Sequence, residues 1–278
     1  MSEWESAAHV TRPESSAEDG KLLIVGIGPG LPAHLTAAAR EAIQDADAVY
    51  AARLYQEFLA DEGLLDGPEV VESTRREKTA QARATFDRVR AGETVVHVSG
   101  GDPTVYGKSD LLVGLAETEA DGEIPVEVVP GVTAALGGAA LLGAPLSNDF
   151  CTVSLSTQRR DQAEIDEKLA AAASAGFVLV LYNAWRSLPA ALSVIREHRS
   201  GSVPVALLED VGRGEQGRNA AGETVAISRL ARAGEELDPQ TPGTLVVVGT
   251  EDSRVLDPGE GGRPFLVTPR GEETPLQP

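Results

Sequence analysis

The run Ser99-Gly100-Gly101-Asp102-Pro103-Thr104-Val105-Tyr106-Gly107 sets two glycines, a carboxylate and a proline directly after an apolar stretch rich in β-branched residues, Thr94 to Val98. The apolar stretch reads as a buried parallel strand, and Gly, Asp and Pro prevent the chain from staying extended beyond it. Glycines let a ligand approach backbone amides and carbonyls closely. The carboxyl end of a parallel strand is where open α/β sheets place ligands. The chemistry on offer is the holding of a small polar molecule. An ordinary strand-to-helix turn, with Asp102 capping its own backbone, accounts for the same residues.

Two further apolar strands end in the same way. Leu22 to Val25 runs into Gly26-Ile27-Gly28-Pro29-Gly30, and Val126 to Val129 runs into Pro130-Gly131-Val132-Thr133-Ala134. The first is not a dinucleotide fingerprint, because the third glycine would fall at Leu31 and Pro29 occupies the turn. No Walker A pattern, H-E-x-x-H motif or paired Cys/His spacing occurs, so no protein-held metal is expected. His9, His34, His97 and His198 are scattered and read as structural. The single cysteine, Cys151, excludes an internal disulfide framework. What remains is a set of glycine turns that suits a folded small cofactor needing position more than acid–base help.

The elements that must carry these turns alternate as in an α/β protein. Thr36 is placed to cap a helix running to about Asp45. Val49-Tyr50 and Glu69 to Glu72 read as strands, and Arg53 to Ala60 as a helix. Arg76 to Arg90 is helical by periodicity, with Ala80, Ala84, Phe86 and Val89 as its apolar positions. Helices follow at Lys108 to Ala120 and Ala134 to Leu142; the small residues of the latter serve tight packing or ligand contact. Gly143-Ala144-Pro145-Leu146 reads as a crossover. Beyond it come strands at 152–155, 177–181, 203–208, 224–227 and 244–248, and helices at 163–173 and 188–197. The expected organisation is an acidic disordered tail (1–20), an N-terminal α/β domain (21–142), a C-terminal α/β domain (143–254) and a flexible tail (255–278).

The 278 residues are 42% hydrophobic but only 4% aromatic, so the core must be aliphatic. No apolar run approaches the roughly 20 residues of a membrane span, and the acidic N-terminus lacks a secretory core. With 43 acidic against 24 basic residues the formal charge is -19, which disfavours nucleic acid as a partner. Lys21, Lys78, Lys108 and Lys168 are the only lysines. An acidic, lysine-poor surface suits a salt-rich cytosol, where the Debye length falls to about 3 Å at 1 M; a merely acidic enzyme is the alternative.

Taken in order, Val25 to Gly30, Ser99 to Gly107, Val128 to Ala135 and Pro242-Gly243-Thr244-Leu245-Val246-Val247-Val248-Gly249 resemble the motifs of the tetrapyrrole methyltransferase superfamily, over about Lys21 to Glu251. Leu141 to Ser156 and Phe177 to Asn183 resemble the branch that methylates C-17 of precorrin-3B. Where that branch has His before Asp-Phe, this chain has Asn148. Where it continues Ser-Asp-Leu-Leu-Thr-Pro-Trp, Ser156 is followed by Thr157, Gln158, Arg159 and Arg160. Where Pro-x-Ser follows Tyr-Asn, this chain has Ala184-Trp185-Arg186-Ser187.

The resemblance implies two α/β domains with mixed or parallel sheets, a cofactor cleft between them, a cytoplasmic homodimer and S-adenosyl-L-methionine as cofactor. The implied cofactor contacts are Pro29, Gly100, Gly101, Asp102, Val105, Thr133, Ala134, Tyr182, Ala206 and Thr244. Asp102 and Asp149 are the catalytic candidates. The implied substrate is a tetrapyrrole that brings its own cobalt and carries many carboxylates, which calls for arginine forks. Arg53 and Arg159 are the leading choices, with Arg75, Arg76, Arg160, Arg186 and Arg213 behind them. The implied reaction is C-17 methylation with ring contraction of (cobalt-)precorrin-3 to (cobalt-)precorrin-4. Another corrin or sirohaem methyltransferase, diphthine synthase, and a non-catalytic binding subunit that kept the fold are the competing readings.

Overall fold

A computed structural model describes residues 20–30, 32–74, 77–213, 222–257, 259 and 262–271. The first half is built on five parallel strands: β1 (Lys21–Gly26), β2 (Ala48–Ala51), β3 (Glu69–Glu72), β4 (Thr94–Ser99) and β5 (Val126–Val129), in the order β3-β2-β4-β1-β5. β1 and β4 lie at the centre and are almost wholly buried, as their continuous apolar runs require. Helices α1 (Ala37–Gln44), α2 (Arg53–Asp61), α3 (Lys78–Arg90) and α4 (Ser109–Ala120) connect them. Thr36 caps α1, its Oγ1 accepting the Ala39 N–H at 3.1 Å.

The second half is a mixed sheet in the order β10-β9-β11-β8-β7. Its strands are β7 (Phe150–Ser154), β8 (Val178–Tyr182), β9 (Pro204–Glu209), β10 (Thr224–Arg229) and β11 (Leu245–Val248). Only β7 and β8 pair in parallel. Helices α6 (Gln162–Ser174), α7 (Leu188–Arg196) and α8 (Ala233–Glu236) lie in this half, and α5 (Ala134–Leu142) leads into it. One apolar cluster joins α6 and α7 to the sheet, while Ala135 and Leu142 of α5 pack into another with Val180, Leu208 and Val247.

Four expectations are corrected. The buried stripe of α3 is Ala82, Thr85, Phe86 and Val89, whereas Ala80 and Ala84 are exposed; at 3.6 residues per turn, 80 and 84 lie on the face opposite 82. Gly143–Ala144 is not merely a crossover but a short strand, β6. The expected flexible tail supplies β12 (Arg254–Leu256) and β13 (Phe265–Val267), and β13 pairs with β6 in parallel. Leu266 and Thr268 are fully buried, so aliphatic burial holds a segment whose Pro/Gly content suggested a loose end. Gly20 is buried against the α3 end and not part of a disordered tail; residues 1–19 lie outside the described residues. The start of α3 expected at Arg76 does too.

His97 illustrates a structural histidine. Its ring lies stacked on Tyr50 with centroids 4.5 Å apart, and Nε2 is 2.7 Å from Thr85 Oγ1. The Thr85 hydroxyl donates to the Gln81 carbonyl, so the histidine nitrogen is the donor in this pair. Burial, helped by the charge of Lys108, pushes the imidazole down to about 3, and it is neutral at physiological pH.

Candidate active site

The three glycine turns of the first half are tied into one knot. Gly28 N–H donates to Gly101 O at 3.1 Å and Gly101 N–H to Gly28 O at 2.7 Å, an isolated bridge between the turns after β1 and β4. Gly101 has φ +70°, which glycine adopts freely. A Cβ on Gly131 would lie 2.3 Å from Gly101 O, so the turn after β5 closes on the others only because it has no side chain.

Asp102 locks the knot. Its Oδ1 accepts from the Thr104 amide and hydroxyl, and its Oδ2 accepts from Gly131 N–H at 3.0 Å. Burial raises its pKa, but these hydrogen bonds outweigh burial and hold the carboxyl below its ordinary value. The turn-capping role considered for Asp102 is therefore present.

The second half closes over the knot through Tyr182, at the end of β8. Its hydroxyl lies 2.6 Å from Thr133 Oγ1 and accepts the Ala135 N–H at 2.9 Å. Burial raises the phenol above its ordinary value, so it is a neutral hydrogen-bonding group. Glu209, at the end of β9, is buried and accepts from Gln240 N–H, Thr241 N–H and Thr244 Oγ1 at 2.7, 3.0 and 3.0 Å. It thereby shapes the loop before β11.

Between the halves lies a cavity of ≈ 190 Å³. Pro29, Gly100, Gly101, Asp102, Val105, Thr133, Ala134, Tyr182 and Thr244 all line it. Ala206 does not. It is fully buried under α5, and its backbone is paired on both sides by β10 and β11. Tyr55, Tyr106, Asn183, Val211, Arg213, Pro242, Gly243 and Leu245 complete the wall. Arg213 Nη1 is buried with no hydrogen-bond partner, 3.6 Å from Asp210 Oδ1. Tyr106, Pro242 and Gly243 fall within the motif stretches quoted above; nothing local in the sequence marks Tyr55.

Tyr106, Asn183 and Pro242 also line a second, larger cavity of ≈ 830 Å³. Tyr106 has φ +54°, donates to Thr152 O at 2.9 Å and meets Tyr182 edge-on at 5.1 Å, so it stands at the junction of the two spaces. Among the described residues, the larger trough is lined by Lys78, Arg159, Arg160 and Arg186 against a single carboxylate, Asp110. On a chain of charge -19 this is a local reversal of sign.

Arg159 thus lies in the trough, in an ion pair with Asp110 of α4. Arg53 lines neither cavity; its side chain is 81% exposed and faces Glu57 one turn along α2. The position shortly after a strand end was sound, but the helix turns that residue to solvent. Asp149 is exposed just before β7 and lines neither cavity. Its neighbour Asn148 bonds to the Pro269 carbonyl at 2.9 Å, tying down the C-terminal segment. Arg75 and Arg76 lie outside the described residues.

Among the described residues no three His, Cys, Asp or Glu side chains gather as a metal site, and no helix is long and apolar enough to cross a membrane. The precorrin-3B C(17)-methyltransferase of a Sinorhizobium species is 34% identical over 90% of this chain and 96% of its own length. The chain spans about half the length of two longer curated relatives, 45% and 53%. The crystal structure of the methyltransferase CobJ superposes with a TM-score of 0.77 over 90% of this chain and all of that one, at 24% identity. The uroporphyrin-III C-methyltransferase of Thermus thermophilus, complexed with S-adenosylhomocysteine, matches with a TM-score of 0.64 over 82% of this chain and 97% of its own, at 27% identity. Residues 21–221 match the tetrapyrrole (corrin/porphyrin) methylases, and the chain belongs to that family of methyltransferases.

Proposed function

We propose that this chain transfers a methyl group from S-adenosyl-L-methionine to C-17 of (cobalt-)precorrin-3, with ring contraction to (cobalt-)precorrin-4, in cobalamin biosynthesis. The observation that carries the reading is the pair of adjoining cavities: a small one walled by backbone and a large cationic one, meeting at Tyr106, Asn183 and Pro242. The lining of the first suits a methyl donor and that of the second a polycarboxylate acceptor. The name of the Sinorhizobium relative and the complex of the Thermus enzyme support the substrate and the cofactor respectively.

The small cavity suits the cofactor on its own terms. Gly100 and Gly101 bare the backbone on one side, and Arg213 Nη1, ion-paired with Asp210 but making no hydrogen bond, offers a donor on the other. Pro29, Thr133, Ala134, Tyr182 and Thr244 would enclose it. When bound, the cofactor supplies a methyl on a sulfonium, already activated toward a carbon nucleophile. The protein's part is alignment and exclusion of water; well-oriented reactants gain roughly 7–11 kcal/mol. Asp102 holds the floor rigid, and Tyr106 with Tyr182 forms the rim across which donor and acceptor face each other. The same reading takes the enzyme to be a cytosolic homodimer in a salt-rich cell. Thermal melts across a salt series test the last point: stability rises with salt, and a flat response removes it.

The deciding experiment is anaerobic incubation in high salt with S-adenosyl-L-methionine and cobalt-precorrin-3, followed by mass spectrometry and absorption. Gain of one methyl group with a spectral change is expected. Cofactor binding with methyl gain only on another corrin intermediate would move the reading to that substrate. Binding with no transfer to any tetrapyrrole would leave a non-catalytic subunit.

A further inference from the structure

We infer that Arg186, stacked on Trp185, is the primary carboxylate-reading residue of the cationic trough. The inference rests on the reading of the trough as the acceptor site and adds which side chain does the recognising.

The guanidinium carbon of Arg186 lies 4.2 Å from the Trp185 ring centroid. Both residues sit on a single 3-10 turn, Ala184–Arg186. That turn is fixed from both ends. Ala184 is fully buried in the cluster under α7, and Ser187 N–H donates to the Ala184 carbonyl at 3.1 Å. Asn183 before it adopts φ +57° and donates to Ser154 Oγ at 3.0 Å.

A long arginine side chain loses rotamer freedom when it clamps an anion. Stacking on an indole removes that freedom beforehand, while leaving the planar edge with its N–H fork open to a carboxylate. Arg186 is exposed and makes no ion pair or hydrogen bond with another described residue. Among the described residues, then, nothing competes for the donors of this lining side chain.

The other cations compare poorly. Arg159 is engaged by Asp110 and must break that pair first. Lys78 is exposed on the first turn of α3 and offers a point charge in place of a planar fork. Among the described residues Arg160 has neither an ion pair nor an aromatic ring to hold it.

The test uses the purified full chain and two porphyrin probes, the octacarboxylate uroporphyrin and the tetracarboxylate coproporphyrin, titrated by absorption at low and high salt. S-adenosylhomocysteine affinity, by calorimetry, reports an intact fold. Wild type should bind uroporphyrin more tightly than coproporphyrin. Arg186→Gln should weaken uroporphyrin about tenfold, narrow the gap between the probes and lower the salt dependence, with S-adenosylhomocysteine binding unchanged. Trp185→Leu, which keeps the charge, should cost about threefold. Wild-type binding that Arg186→Gln leaves within twofold overturns this inference and spares the methyltransferase reading. Absence of porphyrin binding by wild type overturns the acceptor-site reading and the inference together. If Arg186→Gln also loses S-adenosylhomocysteine, Arg186→Lys decides: wild-type uroporphyrin affinity in that variant overturns the role of the planar fork, and a severalfold loss supports it.

Discussion

The two cavities solve recognition by opposite means. The smaller is a backbone device: glycine turns, a carboxylate that ties two of them together, and two tyrosines that close the rim. Its shape is set by where side chains are absent. The larger is a side-chain device, made of long cations reaching in from α3, the turn after β7 and the turn after β8. Its character is set by charge. A backbone site is intolerant of added atoms and indifferent to salt, whereas a charged trough tolerates substitution and responds to salt. A rigid grip suits a donor shared by many reactions; an adaptable one suits an acceptor peculiar to this enzyme.

The contrast is open to breakage, and Gly131→Ala should strain it hardest. The new methyl would meet Gly101 O and the Gly26 backbone, neither of which can swing aside. Cofactor affinity should fall about a hundredfold by calorimetry while uroporphyrin binding persists; equal loss of both would mean the cavities are one site. Next comes the loop they share. Burial, with Lys78 adding to it, pushes the Lys108 ammonium down to about 8 from 10.5. The unfolded chain holds that proton more tightly, so stability should rise with pH between those values, by up to about 3 kcal/mol. In Lys108→Met that rise should vanish from denaturant melts. Asp102→Asn should weaken the cofactor about tenfold, since an amide cannot accept from Thr104 and Gly131 together. Arg160→Gln should weaken uroporphyrin only a few-fold and leave the cofactor alone. Arg53→Ala should change neither affinity, because its side chain faces solvent and its pair with Glu57 is a surface one; a measurable loss of uroporphyrin would redraw the trough.

This division also explains what could be read from the sequence. A backbone site leaves a trace in local order: a strand, then a turn with closely spaced glycines at 26–30 and 99–107 and with Gly131 alone at 130–134. The spacing of Gly100, Gly101 and Asp102 was legible because a chain leaving a buried strand turns most readily on glycine and a self-capping Asp. The parallel strand β4 was equally legible from its continuous apolar run, whereas β3, Glu-Val-Val-Glu at the sheet edge, carries no such run. A side-chain site leaves no local trace. Arg53 and Arg159 each follow a strand end, but Arg53 opens helix α2 and points to solvent, whereas Arg159 sits in the turn before α6 and lines the trough. Tyr55 reaches the smaller cavity from α2, a contact that depends on tertiary packing alone. Ala206 was misplaced for a related reason: a strand position does not reveal which element roofs it. The β6–β13 pairing joins segments more than a hundred residues apart, and no local pattern announces such a partner.

That pairing also bears on how the protein is made. β6 marks the passage from one half to the other, yet the strand that completes its sheet is Phe265–Val267. A nascent chain can form the parallel first sheet early, since every strand of it precedes residue 130. The passage between halves cannot be sealed until Val267 has been synthesised. Loop closure over such a span is entropically slow. During translation, then, the glycine turns after β1, β4 and β5 are all synthesised more than a hundred residues before the strand that pairs with β6.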